Sequence, residues 1–286
     1  MSFYGSYFTY NGKSCKDFGL SLYDIGNTGQ DDSKVASVGK PVEDWIPTRS
    51  KSFYYGLQQN DPLEFNLVFG VDFVNCTTPK DFLTRDKIAE INNWLTGHGD
   101  SRKWLTIDQP DMTKYKYYCT ITDMKIITHG MYPWGFECTV TCDSAYAYKS
   151  ASFEFECSSD TVEQSFSLMS GQMVNELYHP KMTITPTSNT KGCVSVENKT
   201  TDSLFIVGKQ YEFINDKTTG DYLSYGTNVT IDVDNETGVI KHSEGLNLYD
   251  YFNFGFLTIA KGVNEIALKG KFKIRFDCDF PVDVGA

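Results

Sequence analysis

A chain of 286 residues is too long for one typical small domain and suits two of about 100–150 residues, each burying roughly two-thirds of its unfolded surface. Its 18 Tyr and 20 Phe exclude a disordered polymer, and 37 Asp and Glu against 26 Lys and Arg leave a net charge of -11 that repels phosphate backbones and excludes general or sequence-specific nucleic-acid binding. No stretch approaches the roughly 20 apolar residues that span a bilayer, and the opening MSFYGSYFTYNGK lacks a basic segment followed by an apolar run, so neither a membrane partner nor a secretory leader is expected.

In chain order, PLEFNLVFG is a strand, with Leu63, Phe65, Leu67 and Phe69 on one face at a two-residue period. TRDKIAEINNWLTG is the one convincing helix, over about residues 85–96. Thr84 caps it, and Asp86 sits in the first turn, where the helix dipole favours an acid. Ile88, Ile91, Trp94 and Leu95 form an apolar stripe at helical spacing, and Gly97 is placed to end the helix in the left-handed conformation. KWLTI then begins a strand. In YKYYCTI, Cys119 shares a face with Tyr115, Tyr117 and Ile121; in WGFECTVTC, Trp134, Phe136, Cys138, Val140 and Cys142 form one face.

FEFEC, where Cys157 follows Phe153 and Phe155, opens the second half near a join at Ser144–Cys157, and all four tryptophans (Trp45, Trp94, Trp104, Trp134) precede that join. The stretch DTVEQSFSLMSGQMVNELYHPKMTITP has no clear period and is left unassigned. After it, VSVENKT, SLFIVG, YEFIND, NVTIDVDNETGVIK, NEIALKG and KFKIRFDCDF follow at intervals of about ten residues with polar or glycine turns, the spacing of an all-β sandwich or barrel. In KFKIRFDCDF, Cys278 joins the face of Phe272, Ile274, Phe276 and Phe280, and in VDNETGVI Gly238 supplies the positive φ of a hairpin turn. The expected fold is mainly β in two domains: residues 1–150 with one flanking helix, and residues 151–286 all β.

Of the eight cysteines, those in these strands occupy inward positions, where Cys acts as a small hydrophobe; they read as free thiols of a reducing compartment. Four Asn-x-Thr sequons, at Asn75, Asn198, Asn228 and Asn235, read as chance in an Asn/Thr-rich chain.

Several constellations invite a chemical reading. In NWLTGHGDSRKWLTID, His98 lies near Asp100, Ser101 and Asp108, as a hydrolytic triad would require, but no Gly-x-Ser-x-Gly elbow surrounds any serine, and a helix end turning into a strand explains the same residues. His98, His129, His179 and His242 are isolated in sequence, and Cys138 and Cys142 lack the knuckle turn and second pair of a zinc site. Asp232, Asp234 and Glu236 alternate like the first half of a calcium loop, but Gly238 comes one place late and no helices flank it. Thirty-seven acids leave a carboxylate pair for glycoside hydrolysis conceivable without marking one. The aromatics of LYDYFNFGF, including Tyr249 and Tyr251, would serve a core, a protein interface or a sugar-stacking platform. No phosphate-binding loop, dinucleotide fingerprint or basic patch is present. No catalytic, cofactor-binding or metal residue is therefore assigned, and the residues of any oligomer or partner interface are left unassigned.

YFTYNGKSCKDFGLSL (an aromatic strand, an Asn-Gly turn and an Asp-Phe-Gly-Leu segment), the helix ending in NWLTG, then KWLTIDQPDMTKYKYYCTI and WGFECTVTCDSAYAY, resemble in order the first domain of the distal tail proteins of siphophages, the baseplate hub family. Where that family carries Pro-Tyr-Ala-Tyr, this chain has SAYAY, with Ser144 and Ala145. GTNVTIDVDNETGVI and FLTIAKGVNEIALKGKFKIRFDCDFP resemble its closing strands. The resemblance implies an N-terminal split β-barrel with one helix, a C-terminal galectin-like jelly-roll sandwich, and no catalytic residues. It implies a ring, hexameric or a dimer of such rings, located at the virion tail tip after assembly in a bacterial cytoplasm. Its partners would be the tail tube protein, the tail-tip protein and receptor-binding or adsorption-apparatus proteins. True galectins stack sugar on a tryptophan, which the second half lacks. Edge strands suit ring closure, and the acidic balance suits a lumen through which DNA slides. The alternative is a carbohydrate-binding sandwich module of a secreted glycan-active protein.

Overall fold

The computed structural model describes residues 6–23, 40–58, 61–71, 82–97, 101–187, 193–212, 217–222 and 229–283. Among these the chain is built mainly from antiparallel strands with one α-helix, and no helix is long and apolar enough to cross a membrane. It falls into two compact units, one up to Tyr148 and one over Lys149–Val282.

The first unit opens with β1 (Tyr7–Tyr10) and β2 (Lys13–Ser14), joined by Asn11 and Gly12 at φ of 50° and 76°, the primed turn an Asn-Gly pair favours. A single 3-10 turn, Cys15–Phe18, follows under a capping box: Ser14 Oγ accepts from Lys16 N–H, and Asp17 accepts from Ser14 N–H at 3.0 Å. Then come β3 (Leu20–Leu22), β4 (Lys40–Asp44), β5 (Phe53–Gln58), β6 (Glu64–Val71), helix α1 (Arg85–Thr96), β7 (Lys103–Asp108), β8 (Tyr115–His129) and β9 (Tyr132–Cys142). The main sheet runs β3-β6-β9-β8-β7-β1-β2. Leu22 N–H donates to the Ser6 carbonyl at 2.9 Å, so β3 returns beside the start of β1 and the sheet curls round its core. Phe8, Phe69, Leu105, Tyr117, Phe136 and Val140 fill that core, each at an inward position of the alternation.

Helix α1 has the limits its apolar spacing predicts, with Ile91, Trp94 and Leu95 buried and Thr84 Oγ1 accepting from Lys87 N–H at 3.3 Å. Its end differs from expectation. Gly97 has φ -73°, not a left-handed value. Glycine is required there by close approach: a Cβ would stand 2.3 Å from the Asn93 carbonyl oxygen and 2.4 Å from Asn93 Oδ1.

In the second unit the strands are β10 (Ala147–Ser170, which begins at the end of the first unit), β11 (Lys181–Pro186), β12 (Val194–Asn198), β13 (Ser203–Val207), β14 (Lys209–Glu212), β15 (Lys217–Tyr222), β16 (Ile231–Asp234), β17 (Val239–His242) and β18 (Gly262–Val282). The stretch without a period holds the end of β10, with few buried positions, and β11. YEFIND contributes its first residues to β14; residues 213–216 lie outside those described. NEIALKG and KFKIRFDCDF, expected as two strands, form the single strand β18. Its first part pairs with β12 (Asn198↔Ile266) and its second with β11 (Ile184↔Ile274). Gly270 lies between the two parts, where a Cβ would meet the Cys193 carbonyl at 2.6 Å. The expected turn is thus a bend within a continuous strand, and both groups of strands share one core that includes Phe205, Phe252, Phe272, Phe276 and Phe280. The β16–β17 hairpin turns at Gly238, φ 70°, as read from the sequence.

Candidate assembly surfaces

Among the described residues of the first unit, one exposed apolar surface is an arm. Among the described residues, strands β4 and β5 pair only with each other, as a separate two-stranded sheet, in the register Asp44↔Phe53 and Glu43↔Tyr54 with an irregularity at Val42/Glu43. An isolated two-stranded hairpin is marginal in water. This one nevertheless shows Trp45 at 69 %, Tyr54 at 60 % and Tyr55 at 66 % exposure, with Val42 and Ile46 also exposed and the Arg49 guanidinium 3.9 Å over the Phe53 ring. Contiguous exposed aromatics are the composition of a binding core rather than of a free surface. No motif in residues 40–58 announces the arm. The available signal is SFYYG, three consecutive aromatics that a strand buried on one face cannot hide together.

A second hairpin projects from the same unit. The inward alternation of β8 stops at Ile121; the pairing with β9 shifts at Ile121/Asp123, and no β8 residue beyond is buried. Near its tip Met131 is 90 % exposed, and Tyr132 stacks on Phe82 at 4.7 Å.

In the second unit the residues of LYDYFNFGF divide. Leu248 and Phe252 are buried and Tyr251 packs against the core, while Tyr249 and Phe254 stand exposed, their centroids 6.1 Å apart. Phe254 has φ 56°, a strained value for an aromatic residue. Asn253 holds it there by accepting from Ile206 N–H and Gly255 N–H at 2.9 and 3.2 Å and donating to Leu204 O at 3.0 Å.

His98 and Asp100 lie outside the described residues, as do Asn75 and Asn228. Ser101 precedes β7 and Asp108 ends it; both are exposed and lie about 20 Å of strand apart, so they do not meet. His129 and His179 are exposed, and His242 is buried, its Nδ1 accepting from Glu244 N–H at 3.2 Å. Cys138 and Cys142 are buried on the inner face of β9, and burial pushes the Cys138 thiol up to about 12. Asp232 accepts from Thr183 Oγ1 at 2.8 Å and so ties β16 to β11; Asp234 accepts from Glu236 and Thr237 N–H at 3.1 and 3.2 Å, which shapes the hairpin turn, and lies 3.9 Å from Lys181. Among the described residues no three His, Cys, Asp or Glu side chains converge as a metal group. Glu154 and Glu156 line an open groove of 390 Å³, but Glu156 is paired with Lys273 at 3.4 Å. The sequon residues Asn198 and Asn235 are buried with their amides in hydrogen bonds, which leaves them closed to glycosylation.

Residues 3–144 match the family described as phage tail protein N-terminal domain, and residues 146–278 match the phage tail C-terminal domain. No protein of curated function matches. Among solved structures, the SPP1 Dit protein, described as a paradigm of the hub adsorption apparatus in Gram-positive-infecting phages, is 13 % identical with a TM-score of 0.57 over 96 % of this chain and 98 % of that one. A chain of the phage p2 baseplate in its activated conformation is 12 % identical with a TM-score of 0.47 over 96 % of this chain and 99 % of that one.

Proposed function

We propose, for a chain that belongs to the phage tail proteins described by these two domain families, that it is the hub at the distal end of the tail. The fold it shares with the SPP1 Dit protein supports this reading. The observation that carries it is the arm of the first unit: a two-stranded sheet with Trp45, Tyr54 and Tyr55 in solvent, which is costly for a monomer and useful to a ring. In this reading copies of the first unit close into a hexameric ring between the tail tube and the tail-tip protein. The second, galectin-like unit displays the surface to which receptor-binding proteins attach. Its role is geometric, and no bond of a substrate is broken. The net charge of -11 suits a lumen that passes DNA without holding it.

The test is the mass and shape of the purified chain, by analytical ultracentrifugation and negative-stain electron microscopy, alone and with tail-tip protein. A closed ring is expected. A monomer at every concentration, with the tail-tip protein present as well, overturns the reading.

The exposed pair Tyr249 and Phe254 favours one second reading, a glycan-binding module. Glycan-array binding that disappears in Tyr249→Ala supports it; an array with no signal removes it.

A further inference from the structure

Cys119 on β8 and Cys142 on β9 are register partners in the first unit, Cα opposite Cα. The bonds beside them define the type of pair. Asp143 N–H donates to the Tyr118 carbonyl at 3.0 Å, whereas Cys142 N–H turns the other way and donates to Leu63 O at 2.8 Å. Cys119 and Cys142 therefore form a non-hydrogen-bonded pair, the closer of the two antiparallel kinds, with Cα atoms about 4.5 Å apart. That lies inside the span of about 4.4–6.8 Å that a disulfide bridges. Both thiols are free and buried on the inner face. Cys138 shares that face, but it stands four residues from Cys142, about 13 Å along the strand, with Val140 between.

We propose that Cys119 and Cys142 are a latent cross-strand disulfide site, oxidised by a low-molecular-weight disulfide of the glutathione type. One protein thiolate attacks the oxidant, whose S–S bond breaks to release one thiol and leave a mixed disulfide. The second protein thiolate then attacks the protein sulfur of that mixed disulfide, and the other half of the oxidant leaves as a second thiol. Two electrons pass from the protein pair to the oxidant, and the two protein protons end on the two released thiols. The new bond would staple the root of the β8–β9 hairpin, just inside the shift at Ile121/Asp123 where it leaves the barrel. This goes beyond the hub reading and does not depend on it.

The neighbouring Cys142 and burial hold the Cys119 thiol well above its ordinary pKa, and both sulfurs are shut away from solvent, so the folded pair reacts slowly and oxidation follows opening of the hairpin. The experiment incubates the full chain with oxidised glutathione, once at room temperature and once a few degrees below its thermal midpoint. Free thiols are then alkylated and peptides mapped by mass spectrometry. The expected product is a Cys119–Cys142 linked peptide, lighter by two hydrogen atoms, formed faster near the midpoint. It should be lost in Cys119→Ser and kept in Cys138→Ser. The oxidised protein should melt several degrees higher by tryptophan fluorescence. The proposal is overturned by no linked peptide at either temperature, by linkage to Cys138, by glutathione retained on Cys119, or by a lower melting temperature after oxidation.

Discussion

The indole N–H of Trp94 donates to the backbone carbonyl of Tyr10 across 3.0 Å. The same ring stacks between Phe8 at 5.6 Å and Phe18 at 4.6 Å. One side chain thus ties α1 to β1 and to the 3-10 turn. Trp94→Phe keeps an aromatic body and orphans the carbonyl, which should cost about 1–3 kcal/mol. Trp94→Ala should cost about 3–5 kcal/mol. Urea unfolding followed by tryptophan fluorescence reads this cleanly, because all four tryptophans lie in the first unit. Equal costs for the two variants would mean the hydrogen bond contributes everything and the stacking nothing.

Gly97→Ala should destabilise the first unit although its φ is ordinary, because the added methyl collides with the Asn93 carbonyl. About 1–3 kcal/mol is expected from such overpacking. A gain in stability would show that the helix end relaxes without cost.

Asn235 fastens the second unit from inside the β16–β17 turn. Its Nδ2 donates to Pro180 O at 2.5 Å and its Oδ1 accepts from Leu257 N–H at 2.7 Å. Asn235→Ala leaves both backbone groups buried and unpaired, a loss of about 2–4 kcal/mol. Calorimetry should show the second unit melting earlier while the tryptophan transition stays in place.

Burial lifts the thiols of Cys138 and Cys278 to about 12 and that of Cys15 to about 11, from an ordinary 9.0. The folded chain then keeps protons that the unfolded chain gives up. Stability is full below the unfolded value and falls as pH rises from 9, by about 1.4 kcal/mol per pH unit for each thiol until its own folded value is reached, about 11 for Cys15 and about 12 for Cys138 and Cys278. Denaturant midpoints should drop steadily through that window. Cys278→Ala should flatten the profile of the second unit, and a midpoint that rises with alkaline pH would contradict the assignment.

Tyr54→Ser combined with Tyr55→Ser should leave unfolding of the first unit within about 0.5 kcal/mol, as at other exposed positions. It should shift the sedimenting species from ring to monomer. Intact rings in this variant would place the subunit contacts elsewhere.

Residue-level periodicity carries what was legible before folding. Helix α1, the inward cysteines of β8, β9 and β18, and the Gly238 turn each follow from a local rule, because one-sided burial or one backbone angle leaves its mark within a few residues. The arm at β4 and β5 and the projecting end of β8 leave no such mark. Among the described side chains of these segments none is buried, so no period is imposed.

Pairing decided the rest. That Cys119 faces Cys142, that NEIALKG and KFKIRFDCDF are one strand bent at Gly270, and that Gly97 answers a close approach instead of a left-handed turn all depend on atoms distant in sequence or on the path of the backbone. Composition and alternation determined by themselves a mainly β protein with one helix and inward thiols. Only the tertiary structure decided which strands meet, where the sheet ends, and which aromatics remain in solvent, because register between strands is a contact between segments and no single segment encodes it.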